Sequence, residues 1–158
     1  MRKVVSPAMV LALLICSPVF TAAKGELPPS AKDKCPVCGM FVAKYPNWVA
    51  SARFKDGTTG FFDGPKDMFT HYFDTGRYSP GRRQSDIVAL TVKEYYSLKS
   101  IDARSAFFVS GSNIFGPMGS ELVPFATEQE AASFLSDHKG KRVLRFKEIT
   151  PAIIKALP

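Results

Sequence analysis

Cysteine is scarce in this sequence. The 158 residues include three cysteines, one tryptophan and two histidines. Cys16 falls in an N-terminal stretch that reads as an export signal, which leaves Cys35 and Cys38 for the working protein. Two thiols are too few for a disulfide framework. A structural zinc site needs four ligands, so zinc would have to recruit His71 and His138 or an acidic residue. After residue 23 no apolar run is long enough to cross a bilayer. No Ser/His/Asp order, phosphate-cradling loop or carboxylate pair stands out, and enzymatic function is not expected. Acidic residues are also in deficit, 14 against 21 basic, for a net charge of +7. Without Arg2 and Lys3 the charge is +5, a moderate value that suits an anionic partner surface or headgroups. The basic residues form no stripe interleaved with aromatics, which argues against a nucleic-acid site.

What is present begins with that export signal. Arg2 and Lys3 supply the charged region, residues 8–20 the apolar stretch, and Thr21-Ala22-Ala23 a small-residue cleavage site. The mature chain would start at Lys24 and act in the periplasm. Lipidation at Cys16 competes with this reading, although the bulky Ile15 before it is a poor lipoprotein signal. Membrane association therefore stays open, through a lipidated Cys16 or an uncleaved signal.

Residues 24–34, with Pro28-Pro29, read as a flexible lead-in. Two units then follow, 35–98 and 99–158, each patterned strand, strand, helix, strand. In the first, 48–54 and 59–62 flank Asp56-Gly57, the signal of a tight hairpin. Asp63-Gly64-Pro65 opens a helix with Met68, Phe69, Tyr72 and Phe73 on one face, ending at Gly76. A basic loop over 77–85 leads to a strand at 87–96. In the second, 106–109 and 122–125 flank a Gly-rich loop at 110–120. Thr127 and Glu130 form a capping box for a helix closed by Gly140, and 143–149 is the last strand. Phe62 and Phe125 occupy equivalent places before the two helices. Units of this size are marginal alone, so the predicted class is α+β, two similar ββαβ halves sharing one core.

Chemistry concentrates in Cys35-Pro36-Val37-Cys38-Gly39-Met40. Two thiols and a thioether are soft donors that select copper(I), zinc or iron–sulfur iron over hard ions. The same spacing serves thioredoxin-type redox pairs, but those sit where a strand meets a helix N-terminus, and no helical pattern follows here. Thioether sulfur is a poor zinc ligand and a good copper(I) ligand, so Met40 tilts the choice to copper; alone, it would be read as core filling. Met118, flanked by Gly116-Pro117 and Gly119, is a second soft donor on a shaped loop whose tip could fold toward Cys38. His71, beside the apolar helix face, reads as a partly buried surface histidine before it reads as a ligand. His138 reads as a helix-end cap. Asp63 reads as a helix cap.

Two blocks of the sequence resemble the NosL family, exported accessory proteins of nitrous-oxide reductase. The first runs from Cys35 through Met40 to Phe41-Val42, followed by the Trp48 strand and Phe61-Phe62-Asp63. The second is Gly116-Pro117-Met118-Gly119-Ser120-Glu121-Leu122-Val123-Pro124-Phe125 with the Ala131/Phe134 helix. The resemblance implies two ββαβ halves akin to an organomercurial lyase domain. It implies a copper(I) cargo held by Cys38, with Cys35 as a further candidate, Met40 and Met118. It also implies delivery to nitrous-oxide reductase or another exported copper protein. A periplasmic thiol-disulfide oxidoreductase using Cys35/Cys38, and a domain with structural zinc, are the alternatives.

Overall fold

The computed structural model describes residues 28–157; the signal region and Cys16 lie outside it. Strands β1 (Ala50–Phe54) and β2 (Thr59–Phe62) form the expected hairpin. Its turn places Gly57 at φ +84, a left-handed conformation that glycine adopts without steric cost. Helix α1 (Pro65–Phe73) follows, then a short helix α2 (Thr75–Tyr78), β3 (Ile87–Lys93) and β4 (Ser100–Asp102). The second half contains β5 (Phe107–Gly116), β6 (Gly119–Phe125), α3 (Glu128–Asp137) and β7 (Arg142–Arg145). A terminal helix α4 (Pro151–Lys155) closes the described chain. None of these helices is long and apolar enough to cross a membrane.

Both sheets are antiparallel, and they repeat one topology. The first has the order β2-β1-β3-β4, the second β6-β5-β7. In each, the first strand of the half is central, the second pairs on one side, and the strand after the helix pairs on the other. Phe62 closes β2 and Phe125 closes β6, so the two aromatics occupy matching positions. The fold is α+β.

The halves share apolar interior. Phe69 of α1 meets Phe108 of β5 edge-on at 5.3 Å between ring centroids, and Phe146 at the same separation. One buried cluster joins Cys35, Val42, Phe62 and Met68 to Phe108, Leu122 and Leu144. A second, around Val109, Phe125 and Phe134, lies under α3. The Thr127 hydroxyl accepts from the Glu130 amide while the Glu130 carboxylate accepts from the Thr127 amide, so the capping box forms as the sequence predicts.

Several local expectations are corrected. Residues 110–120 are not a loop: β5 runs to Gly116 and β6 starts at Gly119, leaving Pro117 and Met118 as the turn. Strand β5 carries on through glycine and serine by a register shift against β6, with Gly111 at φ +74, and pairing resumes at Phe115. Helix α1 stops at Phe73, and part of the basic loop forms α2. The last strand ends at Arg145, where 146–148 tighten into a 3-10 turn before α4. Residues 30–34 are tied down rather than loose. The Ser30 amide donates to Asp33 Oδ2, the Val42 amide donates to the Asp33 carbonyl, and Lys34 bridges to Phe41.

Candidate metal centre

The sulfur motif folds into a closed knuckle. The Cys35 amide donates to the Met40 carbonyl and the Gly39 amide to the Cys35 carbonyl, both at 2.9 Å. Gly39 sits at φ +81, which a β-carbon would strain. The knuckle leaves Cys35 only 1% exposed and Cys38 half-buried. Neither forms a disulfide.

Two carboxylates meet the thiols. Asp63 lies between β2 and α1, and Asp67 in the first turn of α1; both are buried. The Cys35 thiol donates to Asp67 Oδ2 and the Cys38 thiol to Asp63 Oδ1, each at 3.2 Å. One donor atom from each of Cys35, Cys38, Asp63 and Asp67 lies within 4.8 Å of all the others. Asp63 Oδ2 is buried with no hydrogen-bond partner, an acceptor that the protein itself leaves unsatisfied.

Burial and negative neighbours act together here. Desolvation pushes the Cys35 thiol far above its ordinary range, and the charge of Asp67 adds to this. Cys38 is pushed up to about 12, by burial first and then by the carboxylates of Asp67 and Asp63 that its thiol faces. Burial also raises Asp67. The resting site therefore holds protonated thiols. A redox pair needs the opposite, a thiolate stabilised by a helix N-terminus or a cation.

Asp63 corrects the sequence reading. The N-cap of α1 is Gly64, with no side-chain cap bond, and the Asp63 carboxylate faces Cys38 instead. One orphan amide at this helix start, that of Lys66, is served from the other half. Glu121 of β6 accepts from the Lys66 amide at 2.5 Å and from the Leu122 amide at 2.9 Å. Burial raises Glu121 to about 8. A β-carbon on Gly64 would collide with the Glu121 carboxylate, and one on Gly116 would stand 3.1 Å from it.

The two candidate methionines are placed differently. Met40 closes the knuckle through its carbonyl and is half-buried. Met118, 42% exposed, is on the β5–β6 turn, and its carbonyl accepts from Lys66 Nζ at 2.7 Å. The turn thus reaches the helix segment that carries Asp63 and Asp67. Beside the cluster, an open groove of about 740 Å³ is lined by residues that include Val37, Asp67, Phe73 and Ile154.

Neither histidine joins the four-residue cluster. His71 is 1% exposed, not a surface residue; its Nε2 pairs with Ser79 Oγ at 2.9 Å, among Phe54, Phe62 and Tyr78. His138 is the C-cap of α3 and stacks on Phe134 at 4.3 Å.

Comparison with known proteins gives the family. The family model described as NosL matches residues 26–154. This chain belongs to the NosL family. A relative, "Copper-binding lipoprotein NosL" of Stutzerimonas stutzeri, is 32% identical over 124 residues, covering 78% of this chain. The match spans 65% of that relative, slightly under two thirds of its length. The crystal structure of the copper chaperone NosL from Shewanella denitrificans superposes with a TM-score of 0.70 at 24% identity. It covers 83% of this chain and 99% of the other, and the likeness is one of fold.

Proposed function

We propose that this chain is an exported metallochaperone whose cargo is copper(I), taken up at Cys35 and Cys38 with the thioethers of Met40 and Met118. The observation that carries the reading is the convergence of two free thiols, from a closed knuckle, on one point with an open groove beside it. Thiolate and thioether donors suit a monovalent soft ion, which accepts two or three of them. The relative named as copper-binding supports the same cargo.

Uptake exchanges protons for metal. Each thiol must lose its proton to ligate, so loading releases protons and is favoured by rising pH. Asp63 and Asp67 already accept hydrogen bonds from those thiols and are placed to take their protons as the ion arrives. Cys38 is partly exposed, so a donor from a partner can approach before the buried Cys35 lets go. Delivery would be to apo nitrous-oxide reductase or another exported copper protein in the periplasm, with membrane attachment through the N-terminal segment.

One observation favours a second reading. Two thiols and two carboxylates are also a four-donor set that zinc accepts. Metal analysis of anaerobically purified protein, followed by copper(I) competition with a chromogenic chelator, separates the two. One copper(I) per chain, bound more weakly in Met118→Ala, supports the chaperone. Tight zinc that is indifferent to Met118→Ala, with unfolding on chelation, supports the structural site.

A further inference from the structure

We propose that Lys66 and Glu121 form a clamp that positions the Met118 thioether at the rim of the metal centre. The inference rests on the reading of Met118 as a ligand and deepens it. Neither clamp residue is itself a soft donor; both act through Met118.

The need for a clamp follows from the second sheet. Strand β7 pairs with β5 only at Phe107, Phe108, Val109 and Ser110. Beyond Ser110 the β5–β6 register slips, and pairing resumes at Phe115↔Ser120 and Gly116↔Gly119. The distal hairpin is therefore a two-stranded ribbon projecting past its sheet, and such ribbons are marginal in water. The Asn113 amide, which donates to the His138 carbonyl, fixes its middle. Its tip is fixed from the other half of the molecule.

One residue of α1 holds that tip at two points. The Lys66 amide donates to Glu121 Oε1 and Lys66 Nζ to the Met118 carbonyl. Lys66 is three positions after Asp63 and adjacent to Asp67, so the clamp is built on the same turn that faces the thiols. Glu121 is 3% exposed, a position where an acid persists only with partners, and Gly64 and Gly116 both give up side-chain volume to admit it. Packing alone does not explain this arrangement, because an apolar residue at 121 would fill the same space and leave the Lys66 amide unpaired.

The test is a double-mutant cycle on the mature protein, reading copper(I) affinity by chelator competition. Lys66→Leu keeps the backbone bond to Glu121 and removes the ammonium without adding a sulfur donor. It should weaken copper(I) by roughly tenfold, as loss of an outer partner of a metal ligand does, with no loss of thermal stability. Lys66→Arg should recover part of the loss. In the Met118→Ala background the Lys66→Leu effect should vanish. Unchanged affinity in Lys66→Leu, or a loss that persists without Met118, overturns the clamp. Relaxation of the Met118 ε-methyl in metal-free protein gives an independent reading. The clamp requires that methyl to become more mobile in Lys66→Leu, and an unchanged methyl overturns it even if the wild-type protein binds no copper. Absence of copper binding by the wild type, with a loosened methyl in the variant, would remove the cargo assignment and leave the clamp standing.

Discussion

The Cys38 thiol faces the Asp63 carboxylate across 3.2 Å, although 25 positions separate them in the chain. The Cys35–Asp67 contact has the same length over 32 positions. The two thiols and two carboxylates thus form one cluster, with a donor atom of each within 4.8 Å of the others.

That pairing discriminates between metals. Replacing both carboxylates, Asp63→Asn with Asp67→Asn, leaves the thiols and thioethers in place. Copper(I) affinity should fall by only about tenfold, through loss of the thiols' outer partners. Zinc, which would lose two of its four donors, should fall much further. Parallel chelator competitions with both ions check this, and equal losses would argue that the carboxylates ligate copper directly.

The two thiols of this candidate cluster were legible in the sequence, and its two carboxylates were not. Cys35 and Cys38 sit within four residues, a spacing that suggests metal or redox chemistry, and Met40 beside them turns the expectation toward a soft metal. Asp63 and Asp67 are also four apart, but an acid beside Gly-Pro at a helix start has an ordinary explanation as a cap or a dipole partner. Only the packing of α1 against the knuckle turns them toward the thiols. Glu121 was hidden for a similar reason. It was visible as part of a motif, but its partners, Gly64 and Lys66, belong to the other half of the fold. The repeat itself was readable, because Phe62 and Phe125 each end a strand before a helix. The strand ends were not readable, since β5 passes through a glycine and serine that local propensity assigns to a loop and regains its pairing with β6 only at Phe115.

His71 should titrate far below an ordinary histidine. Burial lowers its pKa from 6.5 to about 4, and the positive charge of Arg82 contributes. The sign follows from linkage. Between about pH 6.5 and 4 the unfolded chain binds a proton at this position and the folded chain does not. Stability from this group therefore falls as pH drops through that window, by up to about 1.4 kcal/mol per pH unit. Above pH 6.5 the term is flat. With two histidines in the sequence, ring-proton NMR can follow each separately. A midpoint for His71 near 6.5 would contradict its burial.

Phe69 should be among the most sensitive core positions. It contacts Phe73 on its own helix and Phe108 and Phe146 from the second half. Phe69→Ala would open a cavity between the halves and cost roughly 3–5 kcal/mol. Because the interior is shared, denaturant unfolding of a milder variant such as Phe69→Leu should shift to lower midpoint as one transition. Two separated transitions would show halves that fold independently.

Gly64 should tolerate no side chain, and the reason is space rather than backbone angle. Its φ of −170 is open to any residue, but an added β-carbon would overlap the Glu121 carboxylate. Either α1 or the β5–β6 hairpin must then shift, and Gly64→Ala should destabilise the metal-free protein by about 1–3 kcal/mol, as overpacking does. The two positions share one contact, so their effects should not add. Glu121→Ala makes the room that the new methyl needs, while itself costing the bond to the Lys66 amide. The double variant should therefore be less damaged than the sum of the single ones, by 0.5 kcal/mol or more at roughly the scale expected for contacting residues. Thermal denaturation of the four proteins measures the difference directly. Strict additivity would mean that the collision is relieved elsewhere, and that Glu121 does not hold the helix start against the hairpin.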